Sequence, residues 1–439
     1  MKLKFLAIVI GFSTLLSCKK DPQTEVRILP KTSADPLTLT VAKTINDSTI
    51  VLKWSKFTGK GFKSYFLTRS SKVFKDGSFT VVHELLKNTT NIDSLTYSEN
   101  KMPYSTDVQY QIVAATDSAK NTISAYLNYQ RPNTYLTGKF TDALIDQRQK
   151  TLYLIDHEYG RILSYNYEIN KKINSVKLDG AIGYSALGDF EGINELYVPT
   201  SDGWLQILNP STLKLKDRIY VGGERIGSVV SKKGKLIISS SDRSFGSFYN
   251  NAIKIYDRKT KQVTGRTGNW DYTRVMLLDN TDFEFIDLTL SIIPTELSYY
   301  KISPEGIPLT SFSDSYHGDH PLDGNIVRSF PDGTKFITSG SGAIYTKNLV
   351  HEKNMAPIYS NIYSDFAFNN SGSIIYRAFS SEKKIQAVSY PGLTNVQNFK
   401  TNLYPAKIFR DGDQLICISR ESAYPSNPES IIFIEKFNL

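Results

Sequence analysis

Cysteine is almost missing from this chain: 439 residues carry two, Cys18 and Cys417. Two cysteines cannot make a disulfide framework or a cysteine-rich metal site. Cys417 stands in the apolar run Gln-Leu-Ile-Cys-Ile-Ser and reads as a buried small hydrophobe. Histidine is scarce too, with five, and no His-Glu-x-x-His pair is among them. There is no glycine-rich phosphate cradle and no Gly-x-Ser-x-Gly elbow. Beyond residue 16 no apolar run is long enough to cross a bilayer as a helix. The formal charge of +9 is spread over short lysine runs such as Lys232-Lys233-Lys235 and Lys383-Lys384. Those runs read as solvated turns, and no nucleic-acid motif accompanies them. Glycosidases need two carboxylates across a cleft, and nothing in the sequence points to such a pair. These gaps lead to the expectation of a non-enzymatic protein with no cofactor.

What is present begins at the N-terminus. Met1-Lys2-Leu3-Lys4 is a basic start, and Phe5 to Leu16 is an apolar stretch of signal-peptide length. It ends Leu15-Leu16-Ser17-Cys18, which resembles the lipobox of bacterial lipoproteins. That resemblance implies a signal peptide over 1–17, cleavage after Ser17 and lipidation at Cys18. Several acyl chains on one cysteine make a stable membrane anchor. Residues 18–35 are rich in Lys, Asp, Pro, Thr and Ser and read as a flexible tether. The run Cys-Lys-Lys-Asp-Pro looks like lipoproteins of Bacteroidota-type bacteria. The implied location is the outer membrane, with the cell surface favoured over the periplasmic side.

From 36 to 132 the sequence alternates strand patterns with turn chemistry. Ile50, Leu52 and Trp54 fall on one face of a strand, and Val-Gln-Tyr-Gln-Ile-Val-Ala alternates likewise around Tyr110. Seven such strands in just under a hundred residues predict a β-sandwich. Trp54 and Tyr110 resemble the core landmarks of fibronectin type III domains.

From 134 to 439 a four-strand unit of about 44 residues recurs. The clearest copy runs from Arg225 to Gly268, and seven copies are counted. The last has only three strands, while Tyr135–Phe140 is left over upstream of the first. A propeller must close its ring, because an open sheet edge invites aggregation. Tyr135–Phe140 is therefore expected to pair as the outer strand of the seventh blade. The turns Phe330-Pro331-Asp332-Gly333-Thr334-Lys335 and Asn369-Asn370-Ser371-Gly372-Ser373 resemble those of bacterial seven-bladed propellers. The likeness is to the quinoprotein-dehydrogenase-like and lactonase-like class. The expected fold is all-β, a fibronectin type III-like sandwich followed by a seven-bladed β-propeller closed by an N-terminal strand.

In a propeller, loops joining second to third strands share one face with loops joining successive blades. The long inserts Ser241–Asn251, Ser313–Asp323 and Arg420–Glu429 fall in those two classes. They carry Arg243, Phe245, Phe248, Tyr249, Tyr316 and Tyr424, whose aromatic and arginine chemistry suits a partner-binding face. His317, Asp319, His320 and Asp323 are the strongest metal-ligand candidates, but their spacing fits no established motif, and an ordinary polar loop is expected. The expected role is an outer-membrane lipoprotein that binds a protein or glycan through this face. The setting expected for it is an accessory subunit of an outer-membrane β-barrel complex for transport, secretion or barrel assembly. The alternative is a propeller hydrolase or lyase acting on polysaccharide or lactone.

Overall fold

The computed structural model describes residues 36–46, 49–75, 78–105, 107–117, 121–129, 135–223, 225–241, 248–314, 320–358, 360–423 and 430–439. Among them the regular structure is all strand. Two sheets form the first unit. One holds β1 (Leu39–Asn46), β2 (Thr49–Trp54) and β5 (Thr96–Glu99) in the order β1-β2-β5. The other holds β3 (Phe62–Lys75), β4 (Ser78–Thr89), β6 (Val108–Thr116), β7 (Thr122–Ile123) and β8 (Leu127–Tyr129). Its order is β4-β3-β6-β7, with β8 also on β6. Along β6 burial alternates residue by residue, as the period-2 pattern requires for a strand with one face in a core. Trp54, Tyr65, Leu67, Tyr110 and Ile112 meet in that core. The Trp54 and Tyr65 rings sit edge to face at 5.9 Å.

The rest of the chain forms seven four-stranded antiparallel sheets. Six are built from consecutive strands, and their innermost strands are Asp142–Asp146, Ala186–Phe190, Arg225–Lys232, Thr273–Leu277, Val327–Ser329 and Tyr363–Phe368. The seventh starts at Tyr404–Asp411, runs through Gln414–Arg420 and Ile431–Asn438, and takes its outer strand from β9 (Tyr135–Thr137). Ile431 faces Thr137, Ile432 faces Leu136 and Phe433 faces Tyr135. The expected closure is present, with a strand three residues shorter than the sequence suggests. The fold is a β-propeller of seven blades.

Burial follows a strand's place in its blade. Second strands such as Thr151–Asp156, Lys235–Ser241 and Glu284–Thr289 are buried on both faces. Fourth strands such as Lys171–Lys177 and Leu215–Tyr220 are mostly exposed. Hence apolar residues run almost continuously in the former, and lysine and polar residues dominate the latter. Seven hydrophobic clusters lie between neighbouring blades around the ring, each fed by two of them. Tyr153, Ile155 and Ile162 of blade 1 meet Leu196, Val198 and Leu213 of blade 2. The circle ends where Ile416, Ile432 and Ile434 of blade 7 and Leu136 of β9 meet Leu152, Leu154 and Tyr165 of blade 1.

The hairpin between third and fourth strands repeats one device. An Asx turn at Asn166, Asn209 or Asp257 accepts backbone N–H groups two to three residues on. A residue four further along, Asn170, Leu213 or Lys261, then takes φ of 51°, 54° or 58°. A register shift follows at Ser164/Tyr165, Ile207/Leu208 and Ile255/Tyr256. Gly333 serves a different need. It has φ of 68°, and a Cβ there would meet the Asp279 carbonyl oxygen of blade 4 at 1.9 Å. Blades 4 and 5 touch through that glycine.

Candidate functional site: the loop-rich face and the bore

The strand order fixes what shares a face. First strands run from the inter-blade connection toward the first hairpin, so second-to-third loops return to the side of the inter-blade connections. Ser241–Asn251 joins the second and third strands of blade 3, the 420–429 segment does so in blade 7, and Ser313–Asp323 joins blades 4 and 5. The described ends of all three therefore lie on one side of the ring. Of the six partner-binding candidates, Arg243, Phe245, Tyr316 and Tyr424 lie outside the described residues. Phe248 and Tyr249 are exposed, at 60% and 45%. The Phe248 ring stands edge-on to Trp270 at 5.5 Å, and the Tyr249 N–H donates to the Asn269 carbonyl at 3.0 Å.

Sequence reasoning missed the companions of these two. Tyr159 and Trp204 occupy the second-to-third connections of blades 1 and 2 or their edges, and Tyr220 ends the fourth strand of blade 2. Trp270 and Tyr272 lie between blades 3 and 4. Trp204 and Tyr220 rings are 5.0 Å apart, with the Arg218 guanidinium 4.4 Å over Trp204. Arg225 lies 3.9 Å over Tyr272 and donates to its hydroxyl. Arg161 stacks 5.5 Å from Tyr159. The signal was available: in each case an aromatic residue stands within a few positions of a predicted turn on this face. The face of blades 1–4 thus carries a series of rings and stacked arginines, a chemistry suited to protein hot spots or to sugar rings. Beside Tyr249 a polar cavity of about 410 Å³ is lined by Asn250, Asn251, Lys254 and Arg266.

Of the four metal candidates, His320 and Asp323 lie among the described residues. His317 and Asp319 lie outside the described residues. His320 stacks on His351 at 3.6 Å, ring centre to ring centre. One Asp323 carboxylate oxygen accepts from Asn325 N and Nδ2, each at 2.8 Å. Among the described residues no three His, Cys, Asp or Glu side chains converge on a metal position. Cys417 is buried, and burial pushes its thiol well above the usual range, which makes it a poor nucleophile.

The bore is more elaborate than the sequence indicated. A cavity of about 530 Å³ runs along it, lined by the innermost strands, with Asp142, Tyr184, Arg274, Asp279, Arg328 and Phe409 among its walls. Arg328 grips Asp365 in a fork, Nε to Oδ1 at 2.9 Å and Nη2 to Oδ2 at 2.6 Å. The Ile408 N–H donates to the same Oδ2 at 3.0 Å. Asp142 lies 3.9 Å from Arg274 Nη2 and 3.6 Å from Lys407 Nζ. Arg274 stacks 4.0 Å over the Tyr184 ring and donates to the Gly324 carbonyl at 2.8 Å. Burial alone would push Asp142 up, but Arg274 and Lys407 outweigh it and hold its carboxyl at about 2. Burial pulls His157 down to about 4, so its ring is neutral at pH 7. Asp279 goes the other way: burial raises it to about 6 against the opposing pull of Lys232 and Arg328.

With this geometry in view, comparison with known proteins adds the fold and little more. The WD40 repeats of RRP9 match with a TM-score of 0.50 at 10% identity, covering 70% of this chain and 98% of that one. The hydrazine synthase of Kuenenia stuttgartiensis matches with a TM-score of 0.49 at 12% identity, over 69% and 96%. The likeness to the WD40 repeats is one of fold alone. No protein-family model matches the chain, and no curated protein sequence matches it. The one Trp-Asp dipeptide here, Trp270-Asp271, sits in the connection between blades 3 and 4 and not inside a blade strand.

Proposed function

We propose that this chain is a non-enzymatic outer-membrane lipoprotein, anchored at Cys18 and exposed at the cell surface. Its sandwich is of fibronectin type III type, and its propeller is of the bacterial quinoprotein-like and lactonase-like class. The loop-rich face binds a protein or glycan partner, within an outer-membrane β-barrel complex. The observation that carries the reading is the series of Tyr159, Trp204, Tyr220, Phe248, Tyr249 and Tyr272 with arginines laid over several of them. Large amphipathic rings held by neighbours lose little freedom on binding, which is why they dominate hot spots. Cys18 and the lipobox support the anchor.

The test is gentle detergent extraction with the anchor intact, followed by affinity purification. A stoichiometric β-barrel protein is expected, and it should be lost when Trp204, Tyr220 and Phe248 are changed together to Ala. Replacement of Cys18 by Ser should release the chain from the membrane fraction. Recovery of the chain alone, or of the same partner with the triple variant, sinks the reading.

One observation favours the enzyme alternative. Asp142 and Asp279 line the same cavity, one pulled down to about 2 and the other pushed up to about 6. A split pair of carboxyls is what acid–base hydrolysis of a glycosidic bond uses. Polysaccharide or lactone turnover that disappears in Asp279→Asn would establish this second reading.

A further inference from the structure

A second cavity, of about 680 Å³, opens where the first strands of blades 1, 5, 6 and 7 begin, at the mouth of the bore on the side of the inter-blade connections. Arg420, the last residue of the second strand of blade 7, stands in its wall. The same wall holds Phe140, Leu154, Ile418 and Ile432. Ile432 is the partner of Arg420 on the neighbouring strand. Leu154, Ile418 and Ile432 belong to the core between blades 7 and 1, so the guanidinium faces a ligand space that is apolar on one side.

The charges around this cavity sum to zero, with Arg420 and Lys407 against Asp142 and Asp323. They are not evenly paired. Lys407 Nζ lies 3.6 Å from Asp142 Oδ1. Asp323 is half-buried and accepts from Asn325 N and Nδ2. Arg420 has neither kind of answer. Burial alone acts on its guanidinium and pulls it down to about 10, with no carboxylate holding it up. The group is still charged at pH 7. Its Nη2 donates to the Ala423 carbonyl at 3.0 Å, and its Nε is buried without a hydrogen-bond partner. A buried cation with unmet donors is unfavourable until an acceptor reaches it. The planar fork of a guanidinium matches the two oxygens of a carboxylate.

We propose that this mouth of the bore binds a small monocarboxylate with an apolar body, its carboxylate held by Arg420 and its hydrocarbon laid against Phe140, Leu154, Ile418 and Ile432. The cavity has room for an aromatic acid or a branched acyl chain. A bare carboxylate such as acetate engages the guanidinium but leaves the apolar wall uncovered. A neutral amide of the same shape covers the wall but brings no charge. This inference does not depend on the partner-binding reading, because none of the rings that carry that reading lines this cavity.

The experiment is isothermal titration calorimetry of the detergent-solubilised full chain with phenylacetate, phenylacetamide and acetate, each to about 10 mM, where a millimolar site is near saturation. Phenylacetate should bind. Phenylacetamide should be at least about tenfold weaker, since it forfeits the charge-assisted pair. Acetate should also be at least about tenfold weaker, since it buries no ring. Arg420→Met should weaken phenylacetate at least about tenfold and erase its advantage over phenylacetamide. If that variant fails to fold, as judged by its thermal melt, Arg420→Lys keeps the charge and loses the fork, and it should still lower the affinity for phenylacetate. Absence of saturable heat with phenylacetate overturns the proposal. So does equal binding of phenylacetamide or acetate by the unmodified chain, or phenylacetate binding untouched by the Arg420 variants.

Discussion

The Tyr104 ring, in the sandwich, lies 4.5 Å from the Phe433 ring in blade 7, centre to centre. Phe433 also sits opposite Tyr135 in the strand pair that closes the propeller. The sandwich therefore meets the propeller at the place where the ring is sealed, and it does so on the side of blade 7. The aromatic face of blades 1–4 belongs to other blades.

From that contact follows a prediction about coupling between the two units. An aromatic pair contributes on the order of 1 kcal/mol beyond the area it buries. Tyr104→Ala should therefore separate the melting of the sandwich from that of the propeller by a few degrees in scanning calorimetry. The expected direction is a lower sandwich transition with the propeller transition nearly unmoved. An unchanged calorimetric trace would mean that the ring contact does not couple them.

Closure itself can be probed at Leu136. Its side chain is 6% exposed and packs with Ile416, Ile432 and Ile434. Truncating a buried leucine costs about 2–5 kcal/mol, and here the loss falls on the one blade completed by a distant segment. Leu136→Ala should lower the urea midpoint substantially. Val350→Ala, at an exposed position on the propeller rim, should shift it by no more than about 0.5 kcal/mol. Equal effects at the two positions would show that the closing strand carries no special share of stability.

Much of this architecture was legible because it is periodic. Apolar second strands such as Leu152–Ile155, and turns such as Pro331-Asp332-Gly333, repeat at a fixed spacing, and the leftover strand before blade 1 matched the missing strand of blade 7. The bore was not legible. Asp142, Arg274, Arg328, Asp365 and Lys407 come from five blades and are separated in sequence by tens of residues. Each resembles an ordinary polar residue at a strand edge until the ring brings them to one axis. The loop-rich face was half legible: Phe248 and Tyr249 belong to a long insert, whereas Trp204 opens a strand and Tyr272 sits in a short connection, where an aromatic residue has nothing in the sequence to set it apart from a packing residue.

The hairpins between third and fourth strands give a contrast between backbone strain and packing. Lys261 and Leu213 occupy the same turn position in neighbouring blades, with φ of 58° and 54°. That conformation is unfavourable for any residue with a Cβ, by about 1–2 kcal/mol. The Lys261 side chain is exposed, so Lys261→Gly relieves the strain at little cost and should raise stability by up to about 1 kcal/mol. Leu213 is 2% exposed and part of the core between blades 1 and 2. There the lost burial of about 2–5 kcal/mol outweighs the relief. Leu213→Gly should destabilise. Two shifts of the same sign in chemical denaturation would overturn the argument.

Asp287 supplies the pH dependence. It lies in the second strand of blade 4 and is 1% exposed. Burial pushes its carboxyl up to about 7, with Thr273 and Tyr300 pulling the other way. Because the folded value is raised above the ordinary 3.8, the stability this group contributes is fully present below that value. It is lost as pH climbs through about 7, on the order of a few kcal/mol. Glu421, raised to about 7 by burial, acts in the same sense, whereas Asp142, held near 2, matters only in strong acid. The Asp287→Asn variant keeps the neutral shape and removes one titration. Urea unfolding at about pH 5 and about pH 8 should show the unmodified chain losing more stability between the two than the variant does. At pH 8 the variant should be the more stable of the pair. A constant gap between the two proteins across that interval would mean that Asp287 does not titrate there.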